Sequence, residues 1–122
     1  MTIGRSAEDY LEAILMIHER QGYVRSTDVA EQLGISKPSV SNATKRLRES
    51  EYLTTDPAGM LVLTASGMEI ASQIYARHRA LTDFFIRIGV SQEQAREDAC
   101  KIEHDISQET FEALCRYAGE QA

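Results

Sequence analysis

Residues 35 to 63 read ISKPSVSNATKRLRESEYLTTDPAGMLVL, and the order of signals in them decides the fold. Ser36 is a good N-cap, Pro38 falls in the first turn where a missing N–H is tolerated, and Val40, Ala43 and Leu47 recur at helical spacing. A helix to about Ser50 follows from this. Tyr52–Thr55 and Met60–Leu63 are strand-like, and Asp56-Pro57-Ala58-Gly59 between them suits a type I turn, with proline second and glycine fourth. A hairpin directly after such a helix reads as the wing of a winged helix.

The preceding residues supply the other half of the motif. In RSTDVAEQLG (residues 25 to 34), Ser26 or Thr27 caps a short helix over Asp28 to Leu33, and Gly34 closes it. Two short helices around a tight glycine turn form a helix-turn-helix. Further upstream a helix is predicted from Ala7 to about Gln21. Ser6 is its expected cap with Asp9 as the box partner, Tyr10, Ile14, Leu15 and Ile17 form its apolar face, and Gly22 ends it.

Beyond the wing the pattern is helical to the end. A fourth helix starts near Thr64 or Ala65 and runs to about Ile88, with Ala71, Ile74, Tyr75, His78, Leu81, Phe85 and Ile88 close to a heptad seam. Ser91, with Gln94 as box partner, caps a fifth helix, and Ser107 caps a last one ending near Gly119.

The net charge of −6 argues against a general nucleic-acid binder, but its distribution does not. From Lys37 to Arg48 there are four bases (Lys37, Lys45, Arg46, Arg48) and no acids, whereas Glu97 to Ala122 holds seven acids and two bases. Ser36, Lys37, Pro38, Ser39, Ser41 and Asn42 open the third helix with short groups able to reach base edges or phosphates. Lys45, Arg46 and Arg48 suit backbone phosphates. A solvated basic face is the plain alternative; helix order, wing and charge together favour DNA. No apolar run is long enough to cross a bilayer, and MTIGRSAEDY lacks the apolar core of a signal peptide. The two cysteines make no disulfide framework, so a cytoplasmic protein without membrane partners is expected.

A second constellation consists of potential metal ligands. Asp9 and Glu12 lie at i, i+3 on the first helix, His78 interrupts the seam of the fourth, and Cys100, Glu103 and His104 stand at i, i+3, i+4 on one face of the fifth. Each has an ordinary reading alone: an acid at a helix start, a satisfied core histidine, a small buried thiol, surface charge. Together they form a ligand set, because a seam histidine must face something.

The order SAEDYLEAI at 6–14, the winged helix, YARH at 75–78 and IEH at 102–104 resemble the diphtheria toxin repressor family of metal-dependent transcriptional regulators. The resemblance covers nearly the whole chain. It implies a mainly α fold: an N-terminal winged helix-turn-helix with a small hairpin wing, residues 1–66, then a helical dimerisation and metal-binding domain, residues 67–122. Iron-sensing members often add an SH3-like domain. With its end at Ala122 the chain resembles in length the manganese transport regulators, which lack it. By position the resemblance makes Asp9, Glu12, His78, Cys100, Glu103 and His104 ligands of a divalent transition metal, with up to two ions per subunit. Manganese regulators have a carboxylate where Cys100 stands, and iron regulators usually a methionine where Asp9 stands. Of the iron branch's ancillary site only His78 matches, Thr82 and Arg96 replacing ligands.

The expectation is therefore a homodimeric, metal-activated repressor of metal-homeostasis genes that reads a palindromic operator in double-stranded DNA. Because a thiolate discriminates against Mn²⁺, Fe²⁺ is the metal expected, with Mn²⁺ as the alternative. A regulator with an organic effector and a small non-haem metalloenzyme are the rivals; no HExxH motif supports the latter.

Overall fold

The computed structural model describes residues 4–120, which divide into two compact units, the first ending at Gln73 and the second beginning at Ile74. The first is built around α3 (Lys37–Glu49), whose Val40, Thr44 and Leu47 are buried. Ser36 precedes it in extended conformation, and its Oγ accepts from the Ser39 amide at 3.2 Å, the cap expected from the sequence. Before it come α1 (Arg5–Gln21) and α2 (Ser26–Leu33); after it β1 (Leu53–Thr55) and β2 (Leu61–Leu63) pair antiparallel, with Leu53 opposite Leu63. α2 and α3 are joined at Gly34, whose φ of 67° is the left-handed conformation that lets α2 stop and turn within one residue. Leu11, Ile14 and Ile17 of α1 and Val29 of α2 share the core with Val40, Leu47, Leu53 and Leu61. The Leu61 amide donates to the Val24 carbonyl at 2.8 Å, tying the wing to the α1–α2 link.

Two caps differ from expectation. Ser6 lies inside α1, whose N-cap is Gly4, because the chain is already helical at Arg5; Asp9 then has no capping-box role. α2 starts at Ser26 after an extended Arg25, so neither Ser26 nor Thr27 caps it. Instead the Arg25 amide donates to Asp28 Oδ2 at 2.9 Å, and the guanidinium reaches Oδ1 at 3.3 Å. These bonds hold the Asp28 carboxyl below its usual range, led by the hydrogen bond from the Arg25 side chain. A depressed carboxyl stabilises the fold when ionised, and that contribution fades as pH falls through the folded value, which lies below 3.8. Asp28→Ala is expected to cost about 1 kcal/mol at neutral pH, the usual worth of a cap, and urea unfolding should show the deficit closing below about pH 4.

The end of α3 and the start of α4 (Ala65–Arg87) are tied together. Glu51 has φ 65°, and behind it the Tyr52 amide closes on the Leu47 carbonyl at 2.9 Å and the Glu51 amide on Arg48 at 3.0 Å, a Schellman ending with glutamate where glycine is usual. Thr64 Oγ1 donates to the Glu51 carbonyl at 2.7 Å, and the Thr64 amide to the Tyr52 carbonyl at 3.2 Å. Gly67 follows, buried hard against that Tyr52 carbonyl.

The second unit comprises α4 from Ile74 onward, α5 (Gln92–Ile102) and α6 (Gln108–Glu120). Ile74, Leu81, Ala95 and Ala99 are its buried apolar residues, and Phe84 meets Phe85 edge to face. Ser91 and Ser107 cap as expected, accepting from the Gln94 and Thr110 amides at 3.3 and 3.0 Å. Gln94 does not complete a box; its side chain turns forward to Asp98. Nor does Ile88 extend the seam: it lies past the end of α4 and is 63% exposed.

Candidate metal centre and DNA-binding face

Glu103 is the fixed point of the second unit. α5 ends at Ile102, and Glu103 follows as its C-cap with φ −60° and ψ −25°, its amide still on the Ala99 carbonyl at 2.9 Å. The expected face of Cys100, Glu103 and His104 on one helix is therefore interrupted: Cys100 sits in the last turn of α5, whereas His104 lies in the turn after it.

The Glu103 side chain is fully buried. Its Oε2 lies 2.8 Å from His78 Nδ1 on α4, and its Oε1 lies 3.4 Å from His104 Nε2 without accepting a hydrogen bond. The imidazoles are themselves 16% and 1% exposed. A neutral His78 donating from Nδ1 carries its lone pair on Nε2, the form in which imidazole ligates metals. A carboxylate taken out of water is costly unless opposite charge meets it. Two imidazoles around a buried carboxylate thus fit a divalent ion, which supplies that charge and accepts both donor types. Cys100 is exposed, is in no disulfide, and forms no ligand group with His78 and Glu103 among the described residues.

In the first unit the expected acidic pair sits on α1. Glu12 is buried, within a run of buried residues from Leu11 to Leu15, and Asp9 is half-buried three positions earlier on the same face. A glutamate at a core position of an otherwise apolar helix face is unusual, since buried acids are nearly always paired.

The same unit carries the basic helix. Ser36, Lys37, Pro38, Ser39, Ser41, Asn42, Lys45, Arg46 and Arg48 are all exposed. The hydroxyls of Ser36 and Ser39 bond each other at 2.8 Å. A cleft of about 350 Å³ separates α3 from α1, lined by Ser39, Asn42 and Arg46 on one side and Ser6 and Tyr10 on the other. The wing, from Tyr52 to Leu63, holds Asp56 and no base. Sequence reasoning had given Ser6 and Tyr10 to a cap and a core face; nothing local marks them as neighbours of the basic helix.

Comparison with known proteins places both units. A family model described as "Iron dependent repressor, N-terminal DNA binding domain" matches residues 2–61, and one described as "Iron dependent repressor, metal binding and dimerisation domain" matches residues 64–121. The HTH-type transcriptional regulator MntR of Shouchella clausii is 39% identical over 109 residues, 89% of this chain and 76% of that protein. MntR of Bacillus subtilis is 37% identical over the same length, with 89% and 77% covered. An HTH-type transcriptional regulator of Methanocaldococcus jannaschii is 35% identical, with 92% and 91% covered. Among solved structures, the manganese regulator SloR superposes with TM-score 0.81 at 28% identity, over 98% of this chain and 55% of that one. A manganese-dependent transcriptional repressor in complex with manganese gives 0.85 at 28%, over 93% and 52%, and T. acidophilum IdeR gives 0.82 at 26%, over 98% and 55%. The chain thus spans about half the length of these solved chains. No helix among the described residues is long and apolar enough to cross a membrane. With its DNA-binding part and its metal-binding and dimerisation part both matched, the chain belongs to the iron-dependent repressor family of metal-dependent DNA-binding regulators, and it is not an enzyme.

Proposed function

We propose that this protein is a manganese-responsive repressor that acts as a homodimer on a palindromic operator in the cytoplasm, with Asp9, Glu12, His78, Glu103 and His104 as the metal ligands. The observation that carries the choice of metal is the position of Cys100. Iron was expected on the strength of its thiolate, but Cys100 is an exposed residue and joins no ligand group with His78 and Glu103 among the described residues. What remains are hard oxygen and imidazole donors, which suit Mn²⁺. Functionally, residues 1–66 read DNA, and residues 67–122 dimerise and contribute His78, Glu103 and His104. Asp9 and Glu12 belong to α1, the helix that also walls the cleft against α3 through Ser6 and Tyr10. Ligation through α1 would therefore bias the setting of the recognition helix, with a coupling of about 1–3 kcal/mol typical of such linkage.

The test is a DNA-binding titration against free Mn²⁺ and Fe²⁺ under anaerobic conditions, with wild type and Cys100→Ala. Mn²⁺ should support binding in both proteins at similar free concentration. Iron is the second reading, favoured by the place of Cys100 one turn before Glu103. It prevails if Fe²⁺ acts at the lower free concentration and Cys100→Ala loses that response.

On the DNA side, Arg46→Ala should weaken operator and random DNA alike and flatten the salt dependence by about one unit, as for one lost phosphate contact. Asn42→Ala should instead relax sequence preference, at roughly 1–3 kcal/mol. Fluorescence anisotropy on both DNAs at several salt concentrations separates the two; unchanged affinity in both variants would remove α3 as the reading helix.

A further inference from the structure

We propose that Arg77 is the positioning residue of the Glu103–His104 turn, gripping from α4 the backbone of the same glutamate whose carboxylate His78 grips. The proposal rests on the metal reading of that site.

Residues 103 to 107 lie between α5 and α6, where carbonyls have lost their helical partners. The Arg77 guanidinium takes up this link. Its Nη1 donates to the Glu103 carbonyl at 3.1 Å and to the Ile106 carbonyl at 2.9 Å, and its Nη2 donates to Gln108 Oε1 at 2.7 Å, on the first residue of α6. The same group lies over the Phe111 ring, 5.3 Å from its centre. The acceptors bracket the proposed ligands along the chain, with His104 inside the loop that they close.

The neighbouring residue completes the arrangement. His78, next to Arg77 on α4, meets Glu103 Oε2 at 2.8 Å. α4 therefore holds Glu103 at both ends, the carbonyl by an arginine and the carboxylate by a histidine. A ligand whose backbone is pinned cannot swing its carboxylate by moving the turn, which is the precision a metal site requires of its supports. The grip needs a planar fork with several fixed donors; a lysine ammonium is a single point charge and cannot reproduce it. A clamp serving only to dock α5 on α6 would need the Gln108 and Phe111 contacts but no bond to the ligand's own carbonyl.

The experiment measures Mn²⁺ affinity of the full chain by the electron paramagnetic resonance of free Mn²⁺, and amide exchange of residues 103 to 106 without metal. Wild type, Arg77→Lys, Arg77→Ala, Gln108→Ala and Glu103→Gln are compared. Arg77→Lys is expected to keep the wild-type helical circular dichroism, to weaken Mn²⁺ binding by about 10–100-fold, as loss of a ligand's supporting partner does, and to speed exchange in the turn. Gln108→Ala should leave affinity unchanged. Equal affinity in wild type and Arg77→Lys overturns the proposal, as does an equal loss in Gln108→Ala, which would mark Arg77 as a helix clamp. If both Arg77 variants lose the helical signal, Arg77 is a folding residue and the proposal falls. Failure of the metal reading looks different: wild type and Glu103→Gln would then bind Mn²⁺ alike.

Discussion

Glu103→Gln is expected to abolish metal-dependent DNA binding while leaving the chain folded. Removal of a group that merely supports a ligand already costs about 10–100-fold in metal affinity, so loss of the ligand's charge should cost more than about 100-fold. The amide has nearly the same shape as the carboxylate, so the fully buried site remains filled. In the absence of metal the substitution replaces a buried carboxyl by an amide that is no costlier to keep from water and whose oxygen can still accept from His78 Nδ1. The two states should therefore respond in opposite senses. Thermal unfolding without metal should be unchanged or higher, whereas the gain on adding Mn²⁺, about 2.7 kcal/mol for a site at a hundredfold excess over its dissociation constant, should vanish. A variant that keeps the metal-induced gain would move the site away from Glu103.

Gly67→Ala should be the most damaging conservative change in the first unit. Elsewhere in a helix, alanine for glycine gains about 1 kcal/mol in propensity. Here the added methyl would lie inside the Tyr52 carbonyl oxygen, far closer than real contacts allow, with Leu63 Cδ2 3.4 Å away on another side. The obstacle is backbone and cannot rotate aside, and it is held by the Thr64 amide at 3.2 Å. Overpacking of this kind costs about 1–3 kcal/mol and sometimes more, so the clash outweighs the propensity. Denaturant unfolding should show a net loss of about 2 kcal/mol, and operator affinity should fall with it, because the wing and the start of α4 can no longer close on each other. A stabilised variant would mean that the two segments have room to part.

These outcomes also indicate which features a linear reading can reach. α3 and the wing were legible because their signals are local: Ser36 caps the helix it precedes, Pro38 occupies its first turn, and Gly59 adopts φ 84° at the end of the wing turn. Ser91 and Ser107 follow the same rule. Ser6 carries the same signal but sits inside α1, because the chain turns helical after Gly4. The end of α5 was illegible for a different reason. No glycine or proline lies near Ile102; the carbonyl after the helix is taken by Arg77, 26 residues earlier in sequence. The proposed ligands came from spacing and family resemblance, and the side chains of three of them, His78, Glu103 and His104, lie together. Spacing could not show that the helix would stop before Glu103 and that Cys100 would be an exposed residue. Exposure is a property of what packs around a turn, not of its own residues.

The glutamate at φ 65° beyond α3 has a dynamic consequence. Left-handed backbone costs a non-glycine residue roughly 1–2 kcal/mol, a strain held at this helix end by the Tyr52 and Glu51 amides and the Thr64 hydroxyl. Its other end is fastened by the hydroxyl pair of Ser36 and Ser39 and stiffened by Pro38. The helix is thus fastened at both ends, by hydroxyls at its start and by backbone and threonine bonds at its close. Ser41 and Asn42, suited to base edges, sit nearer the start; Lys45, Arg46 and Arg48, suited to phosphates, sit toward the close. Both sets therefore stand on one helix anchored at its two ends, so that groups suited to bases and groups suited to phosphates keep a fixed spacing and move together.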